Sequence, residues 1–184
     1  MKISILSGIV IAGIGLISSC SNPGDKTSAG NTRIADKILQ QADDGTISLK
    51  LEKADCYADM SQPTNNTAEW NVMVSKTGRF NVWLSSATMD TTKLHYRDQV
   101  QVTVHDIRLA ANPGLDRIIP NSGDVRYPYF KADSYLGSMF IQDTGLYSIQ
   151  VISDMIIPKE YEGKGPSGAD ITRLLSVSFT PTTR

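Results

Sequence analysis

From Ile47 onward, apolar and polar residues exchange places at every second position. Ile47, Leu49 and Leu51 alternate with Ser48, Lys50 and Glu52, and Trp70, Val72 and Val74 alternate with Asn71, Met73 and Ser75. The same beat runs through Phe80, Val82 and Leu84, through Val100, Val102 and Val104, through Tyr147, Ile149 and Val151, and through Leu175, Val177 and Phe179. Side chains on a strand point alternately to its two faces, so these stretches predict strands with one buried side. Met139-Phe140-Ile141 adds a further strand, and the rhythm breaks at Ile152, as a bulge or a strand end would require. Lys76-Thr77-Gly78 and Asp143-Thr144-Gly145 predict tight hairpins, because Gly supplies the positive φ such turns use. Sheets with one apolar face must cover it, and two that cover each other make an antiparallel β-sandwich. No strand–helix alternation is present, so a doubly wound α/β fold is not expected.

The residues before Ile47 follow other rules. Ile34, Ile38 and Leu39 are spaced for a short helix over 33–43, with Asn31 or Thr32 as cap and Gly45 as terminator. Before it, residues 21–32 are polar and rich in turn formers, as a flexible spacer is. Lys2 followed by the uncharged apolar run Ile3 to Ile17 has the layout of a secretory signal, and is too short for a spanning helix. The run ends in Ile17-Ser18-Ser19-Cys20, which resembles a bacterial lipoprotein cleavage box. That resemblance implies cleavage before Cys20 and acylation there, palmitate included, so that fatty chains hold the protein to a membrane. Ser21 after the Cys implies the outer membrane, with the domain facing the periplasm or the cell surface. The expected organisation is a signal peptide over 1–19, a lipidated Cys, spacer and short helix over 20–45, and a sandwich domain over 46–184.

Composition narrows the functions. The 184 residues carry 18 Lys+Arg against 19 Asp+Glu, which gives no electrostatic case for nucleic acid. Two Cys and two His cannot build a four-Cys zinc site or a His-rich metal centre. Lipidation of Cys20 leaves Cys56, expected as a small buried residue. There is no GxSxG elbow and no HExxH, and His105-Asp106 would diverge as neighbours on a strand. The expectation is a non-catalytic protein.

The stretch from Glu69 to Leu84, a Trp-led strand that turns through Gly into an aromatic-led strand, resembles a segment of the family 6 and family 35 carbohydrate-binding modules. Thr144 to Val151 resembles their following strand, and Leu175 to Pro181 their closing one, so the likeness spans about Ile47 to Pro181. It implies a jelly-roll, galactose-binding-like sandwich and a carbohydrate ligand, and related modules are appended to glycoside hydrolases, fucosidase-like ones included. It also implies a calcium ion held by an acidic pair on the first strand and an Asp opening the last. Here only Glu52 matches, Lys50 stands where a carboxylate is usual and Leu175 where the Asp would fall. A hard cation wants six to eight oxygens, so Glu52 is a poor metal ligand and no cofactor is expected.

Sugars are bound by stacking an aromatic under the ring and hydrogen-bonding its rim. Trp83, out of phase with Val82 and Leu84, points away from the core face. The long segment 121–135 concentrates Asp124, Arg126, Tyr127, Tyr129 and Asp133, either as an open aromatic shelf or as a plug at the end of the sandwich. His95-Tyr96-Arg97-Asp98 is a second polar–aromatic group, with Tyr96 as its candidate contact. The function expected is glycan binding by an envelope lipoprotein. The alternatives are a structural or protein-binding subunit of an envelope complex, or an accessory domain of a glycoside-hydrolase system.

Overall fold

The computed structural model describes residues 37–59, 61–157 and 171–182. The signal peptide, Cys20 and the spacer lie outside the described residues. Eleven strands are described: β1 (Leu39–Gln40), β2 (Ile47–Lys50), β3 (Asp55–Tyr57), β4 (Thr67–Val74), β5 (Gly78–Thr88), β6 (Val100–Val104), β7 (Ile107–Ala111), β8 (Arg117–Ile119), β9 (Phe130–Ile141), β10 (Gly145–Ile152) and β11 (Thr172–Pro181). They form two sheets. One runs β1-β4-β10-β6-β7 with β3 also on β4, and the other runs β2-β11-β5-β9-β8. All pairings are antiparallel except β1 with β4. The all-β sandwich expected from the alternation is the observed fold.

The alternation also sets the core. Trp70, Val72 and Val74 from β4 and Ile149 and Val151 from β10 meet Phe80, Val82 and Leu84 from β5 and Val177 and Phe179 from β11. The Trp70 indole is buried, and its Nε1 donates to the Lys50 carbonyl at 2.9 Å, so the ring enters the core without an orphaned donor.

Several expectations change. Over the described part of 33–43 there is no helix: Leu39–Gln40 is a strand, and Gln41 is buried with its side chain stapled to the next connection. The sandwich therefore begins before residue 46. The two expected hairpins are instead arches between sheets, because β4 and β5 lie in different sheets, as do β9 and β10. Their glycines do take positive φ, +140° at Gly78 and +143° at Gly145. An arch and a hairpin bury the same alternation, so the local pattern does not tell them apart. The true two-residue hairpin joins β6 to β7 at His105-Asp106, with His105 at φ +52°. In that turn the two side chains come together, at 3.3 Å between His105 Nε2 and Asp106 Oδ2, rather than diverging. In β11 the register shifts between Leu174 and Ser176, so Leu174 is buried and Leu175 occupies the irregularity. Ile152 is the end of β10. Cys56 is half-buried on β3 against the edge of the core. Among the described residues no helix is long and apolar enough to cross a membrane.

Candidate functional site

The outer face of the β2-β11-β5-β9-β8 sheet carries the densest chemistry. Position parity puts Asn81, Trp83, Ser85 and Ala87 of β5 outward, since Phe80, Val82, Leu84 and Ser86 fill the inner side. The register then lays out the rest. Trp83 lies between Ser178 of β11 and Tyr135 of β9, and Ser85 lies between Ser176 and Asp133. Arg117 of β8 pairs with Asp133 on the far side, and Ser48 and Lys50 of β2 extend the same rows.

At the centre is an aromatic pair. The rings of Trp83 and Tyr135 are 5.2 Å apart between centroids and tilted by 53°. Tyr135 is 44% exposed, and the Arg117 guanidinium reaches across β9 to lie 5.5 Å from the Trp83 ring centroid. Asp133 accepts a hydrogen bond from Ser85 Oγ at 2.7 Å and has Arg117 Nη1 at 3.9 Å from its other oxygen. Around this pair the floor is short and hydroxylic, built from Ser48, Ser85, Ser176 and Ser178. The backbone N–H of Tyr135 donates to Asp116 Oδ2 at 2.6 Å, which fixes the strand where the ring is presented.

The segment 120–129 links β8 to β9 and folds back over one end of this face. Asp124 accepts from Lys131 Nζ of β9 at 2.8 Å and lies 3.8 Å from Lys50 Nζ of β2. The Lys131 hydrogen bond, opposed by partial burial and aided by both ammonium charges, holds the Asp124 carboxyl below its ordinary range. Tyr129 packs under the Arg173 guanidinium of β11 at 4.9 Å. Tyr127, followed by a cis Pro128, is 93% exposed, and Arg126 is exposed beside it. Together with Pro120, Asn121, Ser122, Val125 and Phe130 these tyrosines line an open hollow of about 300 Å³.

The sequence-derived candidates thus divide. Trp83, Asp124, Tyr129 and Asp133 share one face, with Arg126 and Tyr127 on the loop above it. Asp133 belongs to a strand, because β9 begins at Phe130 and the loop is shorter than the 121–135 expected. Tyr96 is a correction: its ring packs on the core, and its hydroxyl bonds Ser86 Oγ at 2.7 Å. Burial pushes its pKa upward, the Ser86 bond works against that, and the nearby Asp154 charge adds to it. The polar company of His95, Arg97 and Asp98 suggested a surface position, yet the aromatic body faces inward. Glu52 is exposed in the turn after β2, and among the described residues no three His, Cys, Asp or Glu side chains gather as a metal site. Glu52 alone does not fit a calcium ion. Sequence reasoning missed Arg117, and took in Tyr135 only as the last residue of the segment 121–135 rather than as a strand residue beside Trp83. The signal for Tyr135 as a strand residue was parity: Lys131, Asp133 and Tyr135 are two apart, with small Ala132 and Ser134 between them.

A scan against protein-family models finds no match, and no curated protein matches. Among solved structures the chain is similar to part of the α-L-fucosidase from Vibrio sp. strain EJY3, with a TM-score of 0.59 at 18% identity over 79% of this chain and 24% of that one. The likeness is one of fold. The Podospora anserina GH26-CBM35 β-(1,4)-mannanase gives a TM-score of 0.43 at 11% identity, over 77% of this chain and 28% of that one. The mosquito-larvicidal Cry4Aa toxin from Bacillus thuringiensis gives 0.46 at 9%, over 80% and 25%. The chain spans about a quarter of the length of each of these solved chains.

Proposed function

We propose that this protein is a non-catalytic carbohydrate-binding protein, tethered through an acylated Cys20 to the outer membrane, that lays a saccharide on the outer face of the sheet bearing Trp83. The observation that carries the reading is the Trp83–Tyr135 pair, standing on a floor of serines and flanked by Asp133 and Arg117. Exposed aromatics on a strand face cost solvation unless something covers them. A sugar ring supplies an apolar C–H face for Tyr135 and hydroxyls for the carboxylate and guanidinium beside it. Arg117 donates in a fixed fork and Asp133 accepts, so both halves of a hydroxyl's hydrogen bonding are served. The fold neighbour whose name reports action on a fucoside is consistent with a saccharide setting. Many tethered copies on one membrane would convert weak single-site binding into firm adhesion.

The test is a polysaccharide and oligosaccharide panel titrated against the soluble domain. Trp83→Ala and Tyr135→Ala are each expected to weaken binding by about tenfold or more, equivalent to about 1.4 kcal/mol, while the thermal transition stays in place for Tyr135→Ala. Unchanged affinity in both variants, or binding to no glycan in the panel, overturns the proposal. Release of reducing sugar during the titration would overturn the non-catalytic part of it.

A further inference from the structure

We infer that the face takes the end of a saccharide chain and excludes its interior, an inference that rests on the carbohydrate reading above. The argument begins from two burial values. Ala87 and Ser85 occupy outward positions of β5, yet Ala87 is 0% exposed and Ser85 6%. Ser85 is covered in part by Asp133, which accepts from its hydroxyl, and the segment 120–129 is held across this end of the face. It is pinned to β9 by the bond from Lys131 to Asp124 and to β2 by Lys50, and β5 and β11 lie between those strands. Tyr129 on Arg173 holds it to β11 as well. The loop therefore crosses the width of the sheet and closes one end of the face.

Among the described residues no segment crosses the other end. Beyond Trp83 and Tyr135 the outward rows are Asn81 with Ser138 and Arg79 with Phe140, and Phe140 is 50% exposed. Arg79 Nη1 donates to Ser138 Oγ at 3.2 Å, which keeps that row low and polar. A chain that enters over Phe140 follows β5 for four residues, roughly 13 Å at the strand rise, before its leading ring reaches Trp83 and Tyr135. There it meets Asp133, Arg117 and the loop. An interior residue needs a way out on both sides and finds a wall on one. A terminal ring needs one exit, and it alone presents the extra free hydroxyls that Asp133 and Arg117 can bond.

The test uses the full chain in detergent micelles and xylan, mannan, β-glucan, α-glucan and galactan. Each is offered at full length and after partial acid hydrolysis to about one-tenth of its mean length. For whichever polymer binds, the hydrolysed form is expected to compete about tenfold better at equal mass, because chain ends, not residues, are the ligand. Calorimetric stoichiometry should stay near one protein per chain whatever the length. Equal competition by mass, or many proteins per chain, overturns end recognition and leaves the carbohydrate reading standing. Binding to none of the five overturns both. In Asp124→Ala, which frees the loop from both lysines, the advantage of the hydrolysed form is expected to shrink. An advantage that persists undiminished, with the loop shown loosened by proteolysis at 120–129, removes the loop as the wall.

Discussion

The buried Gln41 side chain makes five hydrogen bonds, and replacing it offers a direct measure of how the two sheets are joined. Gln41 Oε1 accepts from the Ser75 N–H at 2.9 Å, the Ser75 hydroxyl at 3.2 Å and the Lys76 N–H at 2.7 Å. Its Nε2 donates to the Gly45 carbonyl at 2.7 Å and the Lys76 carbonyl at 3.2 Å. One amide thus satisfies the backbone of the arch that carries the chain from β4 in one sheet to β5 in the other. It also ties that arch to the turn before β2. Gln41→Ala removes all five bonds. Counting only the three short ones at about 1 kcal/mol net each, the loss is about 3 kcal/mol. The two longer ones are discounted, because at 3.2 Å each lies at the weak end of the hydrogen-bond range. That loss lowers the melting temperature by roughly 10 °C in a domain of this size.

A second variant separates hydrogen bonding from shape. Gln41→Glu keeps the three bonds to Oε1 and turns the amide into an oxygen that faces two carbonyls. The charged form is disfavoured there, so the folded-state pKa of the new carboxyl rises above its unfolded value. Stability is then highest at low pH and falls as pH rises toward the raised pKa. Thermal unfolding of the soluble domain at pH 5 and pH 8 reads both effects. Gln41→Ala within about 0.5 kcal/mol of the parent, or Gln41→Glu as stable as the parent at pH 8, would refute the reasoning and return residues before 46 to the status of a linker.

Other expectations follow from single contacts. Asp154 is 1% exposed, its Oδ2 accepts from the Arg97 N–H at 3.1 Å and its Oδ1 has no partner. Burial, against the Arg97 bond and with the repulsion of Asp98, raises its pKa, so stability is expected to fall as pH climbs above the ordinary carboxylate value. Asp154→Asn should flatten that fall and raise stability at pH 7 by about 1 kcal/mol, measured by thermal melts across pH. Gly137 has φ +140°, and a Cβ there would stand 2.9 Å from Leu109 Cδ1, so Gly137→Ala is expected to cost about 1–2 kcal/mol. Tyr127→Ala should leave the melting temperature unchanged while weakening glycan binding. Tyr129→Ala, which removes the cover on Arg173, should cost about 0.5–1 kcal/mol and raise protease sensitivity at 120–129.

What the sequence revealed of the fold follows from what alternation encodes. Val72, Val82, Val102 and Val177 were legible as core because each sits in an uninterrupted two-residue period. Partnership was not legible, since a strand looks the same whether its neighbour lies beside it or across the core. Leu174-Leu175 carries both phases of the period, and only the irregularity in β11 decides which leucine is buried. The first half of β9 was hidden by its outward Lys131, Asp133 and Tyr135, whose inward alternates Ala132 and Ser134 are too small to mark a strand by hydrophobicity. β8 has three residues and β1 two, below the length at which periodicity carries a signal. Trp83 was legible as outward by phase alone. Tyr135 required knowing that β9 pairs with β5, which is long-range information.

The same alternation explains why the candidate site sits on this face and not on the other. Outward positions of β4, β10 and β6 include Glu69, Met73, Leu146, Gln150 and Gln101, long side chains that cover their own strands. Outward positions of β2, β11 and β5 around Trp83 include Ser48, Ser176, Ser178, Ser85 and Ala87, which stand low above the backbone. Small side chains on the second face leave depth. That depth leaves room for the segment 120–129 at one end of the face, and it leaves Trp83 and Tyr135 raised as a shelf instead of merged into a level surface. A serine floor is also wettable and easily dried, since each hydroxyl can turn from water to a ligand's hydroxyl without leaving a charge unpaired. Lengthening Ser176 or Ser178 to Gln would therefore fill the groove from below while sparing the core residues Val177 and Phe179. The expected outcome is lost glycan binding at unchanged stability, and retained binding would mean that the depth of this face is incidental.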